Sequence, residues 1–468
     1  MTEPAQADAG NSAGADREMS FRRGASLLSI LVAITGLLTY GFFAVASHTL
    51  GASAYGGIAV LWGAVFITAS IIYRPVEQLL SRTIAEHLAR DQAAGHALRV
   101  AGAIQLGLAG LFLAVVLPLR PLLEDDLFKG DATLYWAAVA AVAFYAASYF
   151  ARGFLAGQRR FGLYGGLVLL ESTSRCLIGV LAAIGLFTGR DPFAIAVAAA
   201  PLLSLLVVPW ALRHQVKRMS SPAPRDGAAQ SEFKAAHGLG FAAAVLVVMS
   251  AEQAILNLGV LIVSLTAGGD ANKQAALVFN ALLIARAPLQ LFQAVSTTML
   301  PHLTRLMVVE RANALKGEFG QTVRRTILAC LAFGGATAIG LLAIGPWFMR
   351  LVFGDEFVYQ RGGLALVAVG TGLYLAATTL NQAALAQGRA RLAASCWAAT
   401  AIFFTVFLLV AQMSPVREVE IVFLASAALL FGLLLLVYRR PIEAGEHPIE
   451  PGSTEELEAR LAAADEGS

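Results

Sequence analysis

Charged side chains are scarce in this sequence. Asp, Glu, Lys and Arg make up 14% of its 468 residues and hydrophobic residues make up 57%, whereas a soluble globular chain carries roughly 25% charged residues. So few polar side chains cannot cover the water-exposed surface of a chain this long. The composition therefore excludes an ordinary water-soluble enzyme and a disordered chain, and it predicts a polytopic membrane protein.

Cysteine is also scarce, and the sequence motifs of metal, cofactor and common catalytic sites are missing. Cys176, Cys330 and Cys396 all fall in apolar stretches, and their spacing fits neither a zinc site nor a disulfide framework. The chain contains no Walker A loop, no H-E-x-x-H, no C-x-x-C and no dinucleotide fingerprint. We therefore expect no cofactor, no metal and no catalytic site, and nucleic acid is not an expected partner.

Long apolar runs fill most of the chain. A bilayer core of about 30 Å needs roughly 20 helical residues, and the runs lack the strict alternation of barrel strands, so they predict an all-α bundle. The polar residues 1–17 precede a run long enough to span, which argues against a cleavable signal. The sequence predicts about twelve transmembrane helices, at 24–47, 55–78, 99–117, 133–156, 163–187, 192–212, 239–266, 274–300, 325–353, 362–387, 392–412 and 416–438.

The orientation follows from the distribution of Lys and Arg between the two sets of loops. The segments on the side of the N-terminus contain 22 of these residues and the opposite segments contain 7. Positive charge accumulates on the cytoplasmic side, so both termini are predicted to be cytoplasmic. We accordingly expect a multi-pass protein of the cell membrane. The longest outer loop, 118–132, is too short to hold a folded extracytoplasmic domain.

The chain divides into two halves of six helices. We predict a disordered cytoplasmic tail at 1–20, an N-lobe at 21–212, a cytoplasmic linker at 213–238, a C-lobe at 239–440 and an acidic cytoplasmic tail at 441–468. The linker contains the sequence SSPAP at 220–224, and the acidic tail carries a possible capping box at Ser453 and Glu456. The tail can therefore be a solvated coil or contain a short helix.

A faint internal repeat relates the two halves. Residues 74–79 read RPVEQL and residues 286–291 read RAPLQL, so that Arg, Gln and Leu recur at an offset of 212. The ends of the fourth and tenth predicted helices, 155–159 (LAGQR) and 385–389 (LAQGR), match in composition at an offset of 230. Such repeats are typical of transporters built from two like bundles.

Charged residues inside predicted spans are the candidate functional residues. A charge at the centre of a membrane helix costs about 2.5–3.5 kcal/mol on insertion scales, so it normally faces a cavity or a partner. Arg286 lies 13 residues after Lys273 and Glu252 lies 14 residues after Gly238, which places both near the middle of the membrane. Arg286 is expected to line a central cavity, and Glu252 is either its partner or a proton site.

The remaining candidates have alternative structural explanations. Glu171 and Arg175 are four residues apart on one helix, so they form either a self-neutralised structural pair or part of the substrate site. Arg152 and Arg74 lie late in their helices, where they either line the cavity or extend to the cytoplasmic interface. The predicted substrate-binding residues are Arg74, Gln78, Arg152, Glu171, Arg175, Glu252, Arg286 and Gln290.

Arginine in a membrane cavity is suited to phosphate. Its planar guanidinium donates two hydrogen bonds to paired oxygens and keeps its charge. Arg74 and Arg286, one from each half, are therefore expected to attract a phosphate or diphosphate between the lobes. Pro75 and Pro288 can kink the same two helices, which fits either bending during alternating access or a static kink.

The chain resembles the polysaccharide-biosynthesis flippases of the multidrug/oligosaccharidyl-lipid/polysaccharide (MOP) exporter superfamily. The resemblance rests on residues 23–28 (RGASLL), on 46–56 (ASHTLGASAYG) and on 153–161 (GFLAGQRRF), within a 6+6 layout that covers nearly the whole chain. It implies a V-shaped pair of six-helix lobes around a central cationic cavity. It also implies cavity arginines on helices 2 and 8, which supports Arg74 and Arg286 by position.

The resemblance implies that the substrate is a lipid-linked oligosaccharide, usually carried on a polyprenyl diphosphate. Helix 1 has no charge between Arg23 and His48, where some relatives carry one, which favours a general polysaccharide role over a peptidoglycan precursor. The predicted function is a monomeric flippase acting by alternating access, with membrane lipids, a polysaccharide polymerase and glycosyltransferases as further expected partners. The alternatives are a cation-coupled drug or metabolite antiporter of the same superfamily, a membrane glycosyl polymerase or ligase, and an assembly scaffold.

Overall fold

The architecture is entirely helical in the part of the chain that the structure describes. A computed structural model describes residues 27–28, 30–89, 95–209, 235–285, 317–410 and 413–440. Within these ranges there is no β-strand, and ten helices are long and apolar enough to cross a membrane. The predicted N-terminal tail, the acidic C-terminal tail and residues 213–234 of the predicted linker lie outside the described residues.

Among the described residues, six helices of 14 or more residues lie in the predicted N-lobe and six in the predicted C-lobe. The N-lobe contains α1 (Ile30–Thr49), α2 (Ala52–Ala89), α3 (Gly95–Val116), α4 (Ala132–Gly157), α5 (Phe161–Ala183) and α6 (Asp191–Ser204). The C-lobe contains α7 (Ala235–Thr266), α8 (Ala271–Ala285), α9 (Glu318–Phe353), α10 (Arg361–Ala386), α11 (Ala390–Val410) and α12 (Pro415–Arg439). The predicted all-α polytopic bundle is therefore confirmed, and ten of the described helices are long and apolar enough to span a membrane, besides the shorter α6 and α8.

The two lobes repeat one packing pattern. In the N-lobe, α4 packs on α3 and α6, and α5 packs on α6; in the C-lobe, α10 packs on α9 and α12, and α11 packs on α12. Equivalent helices therefore have equivalent neighbours in both halves. The long helix α2 also packs against α7 and α8, so it connects the lobes.

The ends of α4 and α10 show the repeat in atomic detail. The Arg160 amide donates to Leu155 O at 2.9 Å, and the Arg389 amide donates to Ala384 O at 2.9 Å. Both are the six-to-one bond of a Schellman cap. The left-handed residue of the cap is Arg159 (φ 56°) in one half and Gly388 (φ 81°) in the other. The structural offset is therefore 229, one residue less than the composition of the two segments indicates.

Helix α2 differs most from its predicted bounds of 55–78. It has 38 residues and continues to Ala89, a length of about 57 Å at 1.5 Å per residue. The predicted span ends near Gln78 because the apolar run ends there. The polar residues that follow, such as Arg82 and His87, are compatible with a helix, so α2 continues past the predicted end. Pro75 lies inside this helix without ending it. The predicted outer loop 118–132 also forms short helical turns at Arg120–Leu122 and Leu123–Leu127.

Candidate functional site

A buried ion cluster lies between α4 and α5 of the N-lobe. Arg175 Nη2 donates to Glu171 Oε1 at 2.9 Å, and Arg152 Nη2 donates to Glu171 Oε2. The Tyr145 hydroxyl donates to Glu171 Oε1 at 2.7 Å. Glu171 is 5% exposed and Arg175 is 1% exposed, so each charge depends on its partner for compensation. The glutamate thus holds two arginines in fixed positions.

Aromatic rings cover both guanidinium groups of this cluster. The Arg175 guanidinium carbon lies 4.5 Å from the centroid of the Trp62 ring, and that of Arg152 lies 4.8 Å from the Tyr149 ring. A cation over an aromatic face is attracted by the ring quadrupole, most strongly where water is excluded. Trp62 belongs to α2, so this contact fixes the cluster to the helix that connects the lobes.

Arg74 and Glu77 extend the charged region along α2. Tyr164 of α5 donates to Glu77 Oε1 at 3.1 Å, and Glu77 is an electrostatic neighbour of both Arg74 and Arg152. Arg74 is partly exposed, in contrast to the enclosed Arg175. Of the arginines in this region, Arg74 is therefore better placed than Arg175 to meet a ligand.

Glu252 faces this region from the C-lobe. It lies on α7 and is partly exposed, and it is an electrostatic neighbour of Arg74. Tyr374 of α10 donates to Glu252 Oε1 at 3.2 Å. The Tyr374 ring packs edge-on against Trp397, whose Nε1 donates to Asn381 Oδ1 at 3.0 Å. A polar chain through α7, α10 and α11 therefore ends at the surface that faces α2.

The structure brings together five of the eight predicted site residues. Arg74, Arg152, Glu171 and Arg175 belong to one region of the N-lobe, and Glu252 faces it. The side chain of Gln78 is exposed. Arg286 and Gln290 lie outside the described residues, so their place in the cavity stays a prediction. The five described charges together with Glu77 carry no net charge.

Several residues that complete the region are absent from the predicted site. Tyr145 and Tyr149 precede the predicted residue Arg152 on one face of α4, at intervals of four and three, a pattern that the sequence contains and that predicts a common surface. Glu77 follows Arg74 at three residues and shares its face in the same way. Trp62, Tyr164 and Tyr374 carry no such signal, because their partners are distant in sequence.

Comparisons with known proteins give the fold. No protein-family model matches the chain. Two uncharacterized proteins of Mycobacterium tuberculosis are similar: one is 28% identical over 410 residues, covering 84% of this chain and 85% of the relative, and the other is 25% identical over 403 residues, covering 83% and 85%. The similarity to these relatives covers most of both chains.

The solved structures that resemble this chain are transporters. An inward-facing multidrug resistance MATE family transporter of the MOP superfamily superimposes with a TM-score of 0.62 at 13% identity, covering 88% of this chain and 96% of that one. An outward-facing transporter of the same description gives 0.57 at 15%, covering 89% and 94%. A Vibrio cholerae MATE transporter gives 0.58 at 15%, covering 90% and 97%. The chain is therefore a multi-pass membrane protein with the fold of the MATE transporters of the MOP superfamily.

Proposed function

We propose that this protein is an exporter that moves a lipid-linked oligosaccharide across the cell membrane by alternating access. The substrate class is an amphiphile with a phosphate or diphosphate between its lipid and its sugar. The lipid tail stays in the bilayer while the charged group and the sugar cross between the lobes. Cell-surface polysaccharide assembly would consume the product, through a polymerase and glycosyltransferases that act beside this protein.

The observation that carries the proposal is the fixed set of arginines where α2, α4 and α5 meet. Glu171 and its tyrosine and tryptophan neighbours hold Arg152 and Arg175 rigidly, while Arg74 remains partly exposed beside them. Preorganised guanidinium groups bind phosphate without the cost of ordering flexible side chains. Aromatic rings beside them can stack on sugar rings through their apolar faces.

Arg286 supplies the excess positive charge in this proposal. The charges of the described region balance, so a phosphate would be repelled by Glu77 and Glu252 as much as it is attracted, unless a further cation contributes. Arg286 is the equivalent of Arg74 in the repeat. An anion bound between these two residues would contact both lobes, and its binding would therefore favour movement of the two lobes toward each other.

The test uses purified protein in liposomes that contain a fluorescent polyprenyl-diphosphate-linked disaccharide. Translocation is followed by the fraction of fluorophore that becomes accessible to a membrane-impermeant quencher. Arg286→Glu and Arg74→Glu should each abolish translocation, while Arg286→Lys should retain part of it. The control is Arg361→Glu, which places the same reversal at an exposed position at the start of α10. Full translocation by Arg286→Ala would disprove the assigned site.

A cation-coupled antiporter is the second candidate, and Glu252 is the observation that favours it. A partly exposed carboxylate held by Tyr374 between two lobes can bind a cation or a proton. In the same liposomes, a sodium or proton gradient should then drive uptake of a cationic dye, and Glu252→Gln should abolish this uptake. Dye transport without movement of the lipid-linked disaccharide would replace the first proposal with the second.

An enzymatic or scaffolding role has less support. A membrane polymerase or ligase needs a sizeable outer loop with catalytic or basic residues, whereas the segment between α3 and α4 is short and contains Glu124, Asp125 and Asp126. The solved structures that superimpose on this chain in the comparisons above are transporters. A scaffold does not explain why Arg152 and Arg175 are held in an ion cluster among membrane helices, at a free-energy cost to folding.

A further inference from the structure

The lobes meet at the end of the bundle where α1 connects to α2. Several contacts at this end join residues more than 200 positions apart. Tyr40 donates to Leu283 O at 2.6 Å, and the Phe43 and Phe279 rings pack edge-to-face with centroids 4.6 Å apart. This is the end that the distribution of Lys and Arg predicts to face outward.

One contact places a carboxylate of the C-lobe at the start of a helix of the N-lobe. Glu356 lies in the turn Asp355–Phe357 between α9 and α10, and its Oε2 accepts the amide hydrogen of Ala52 at 2.9 Å. Ala52 is the first residue of α2. The first amides of a helix have no partner within the helix and carry a partial positive charge, so an anion is stabilised there. Here the helix cap comes from the opposite lobe.

A second contact lies one turn further along α2. The Tyr55 hydroxyl donates to Asn280 Oδ1 of α8 at 2.5 Å, and both side chains are fully buried. The Tyr55 ring also packs on Phe357, with ring centroids 5.0 Å apart. Phe357 follows Glu356 directly, so the same turn of the C-lobe contacts α2 by a charged group and by an aromatic ring.

Gly56 permits the close approach of the lobes. A Cβ atom at this position would lie 1.9 Å from Asn272 O, in the first turn of α8. The obstacle is backbone, which cannot rotate away as a flexible side chain can. Gly51, on the same side of the bundle, has no atom within 4 Å of its Cβ position. The two glycines therefore provide a matched pair for testing whether contact between the lobes matters.

We propose that Glu356, Tyr55, Asn280 and Gly56 form a latch that holds this end of the transporter closed. Separation of the lobes here breaks the cap on α2, the Tyr55–Asn280 bond and the contact at Gly56 together. The latch thereby sets the balance between the closed state described here and a state open at this end. It contains no residue of the charged cluster, so it acts on the conformation of the protein whichever substrate is carried.

The experiment measures distances between spin labels in the protein without substrate. The labels replace Asp125 in the N-lobe and Gln360 in the C-lobe, which are both exposed near this end, in a background where the three cysteines are serine. Glu356→Ala and Tyr55→Phe should each shift the ratio of closed to open molecules by about tenfold toward open, the factor that corresponds to the loss of one strong hydrogen bond. Gly56→Ala should remove the closed population.

Matched controls separate the latch from general damage. Asp355→Asn changes the neighbouring carboxylate, whose side chain is 85% exposed and pairs with Arg350 of its own lobe. Gly51→Ala adds the same methyl group in open space. Both controls should keep the parent distances. Unchanged distances in Glu356→Ala, Tyr55→Phe and Gly56→Ala would overturn the proposal, and so would an equal shift in the controls. Because no substrate is present, failure here leaves the proposed substrate untouched.

Discussion

Gly153 of α4 lies directly against the backbone of Glu77 in α2. A Cβ atom at Gly153 would be 2.8 Å from Glu77 O and 3.0 Å from Glu77 Cα, closer than atoms can pack. One turn later, Gly157 meets Ser81 and Ile84 of α2 in the same way. Small residues four apart let two membrane helices approach closely. This approach places Arg152, the residue before Gly153, beside the charges of α2.

Replacement of Gly153 by alanine should therefore affect both stability and transport. The added methyl group forces α2 and α4 apart, and such overpacking typically costs about 1–3 kcal/mol of the free energy of unfolding. It also moves Arg152 away from Glu77. We expect a lower midpoint in thermal unfolding in detergent and reduced translocation. Gly166→Ala is the matched control, because no atom lies within 4 Å of its Cβ position, and an equal loss in this control would contradict the explanation.

Neutralising the Glu171 carboxylate should lower the stability of the protein, because this carboxylate compensates the charges of Arg152 and Arg175. Glu171→Gln leaves Arg152 and Arg175 buried without their anion, and loss of one partner of a buried pair typically costs about 3–5 kcal/mol. The midpoint of thermal unfolding should fall accordingly. Glu124→Gln removes one partner of an exposed pair with Arg120, and it should leave the midpoint unchanged because surface pairs contribute little.

A second variant separates charge pairing from shape in this cluster. The triple replacement of Arg152 and Arg175 by Met and of Glu171 by Leu removes all three charges while keeping most of the volume. It should recover much of the stability that Glu171→Gln loses, because apolar residues replace buried ion pairs at little or no cost. It should still fail to translocate the lipid-linked disaccharide. Recovery of translocation would remove the cluster from the substrate site.

The orientation of the bundle is a further prediction. The bias of Lys and Arg toward one set of loops places Gly130, between α3 and α4, outside the cell and Arg225, between the lobes, inside. Alkaline phosphatase fused after Gly130 should be active and after Arg225 inactive, and green fluorescent protein should give the opposite pattern. Fluorescence from a fusion after Gly130 would reverse the predicted topology.

Much of the fold can be predicted from the sequence because hydropathy acts locally. A run of about 20 apolar residues is enough to identify a membrane helix wherever its neighbours lie, and the equal number of helices in each half follows by counting. The pairing of Glu171 with Arg175 is local for the same reason, since residues four apart share a helical face. Residues 79–89 of α2 have no hydropathy signal, because the part of a helix that leaves the membrane is no longer apolar.

The contacts that join distant segments cannot be predicted in this way. Arg152 and Glu171 are 19 residues apart, and Ala52 and Glu356 are 304 residues apart. Only the packing of α4 on α5 and of one lobe on the other brings these groups together. A single sequence contains no periodicity that relates them. Arg152, Glu171 and Arg175 are therefore all candidates from the sequence, but the pairing of Arg152 with Glu171 and the whole latch are found only in the structure.

The end of α10 provides a last prediction that depends on backbone conformation alone. Gly388 has φ 81°, a left-handed conformation that costs other L-residues roughly 1–2 kcal/mol and that asparagine tolerates better than alanine. Gly388→Ala should therefore lower the free energy of unfolding by about 1 kcal/mol, and Gly388→Asn by less. Gly335 in α9 has a helical conformation and open space around it, so Gly335→Ala should act in the opposite direction, by about 0.5–1 kcal/mol. Thermal unfolding of the three variants checks both signs, and equal destabilisation by the two alanine substitutions would show that the backbone at Gly388 is not the cause.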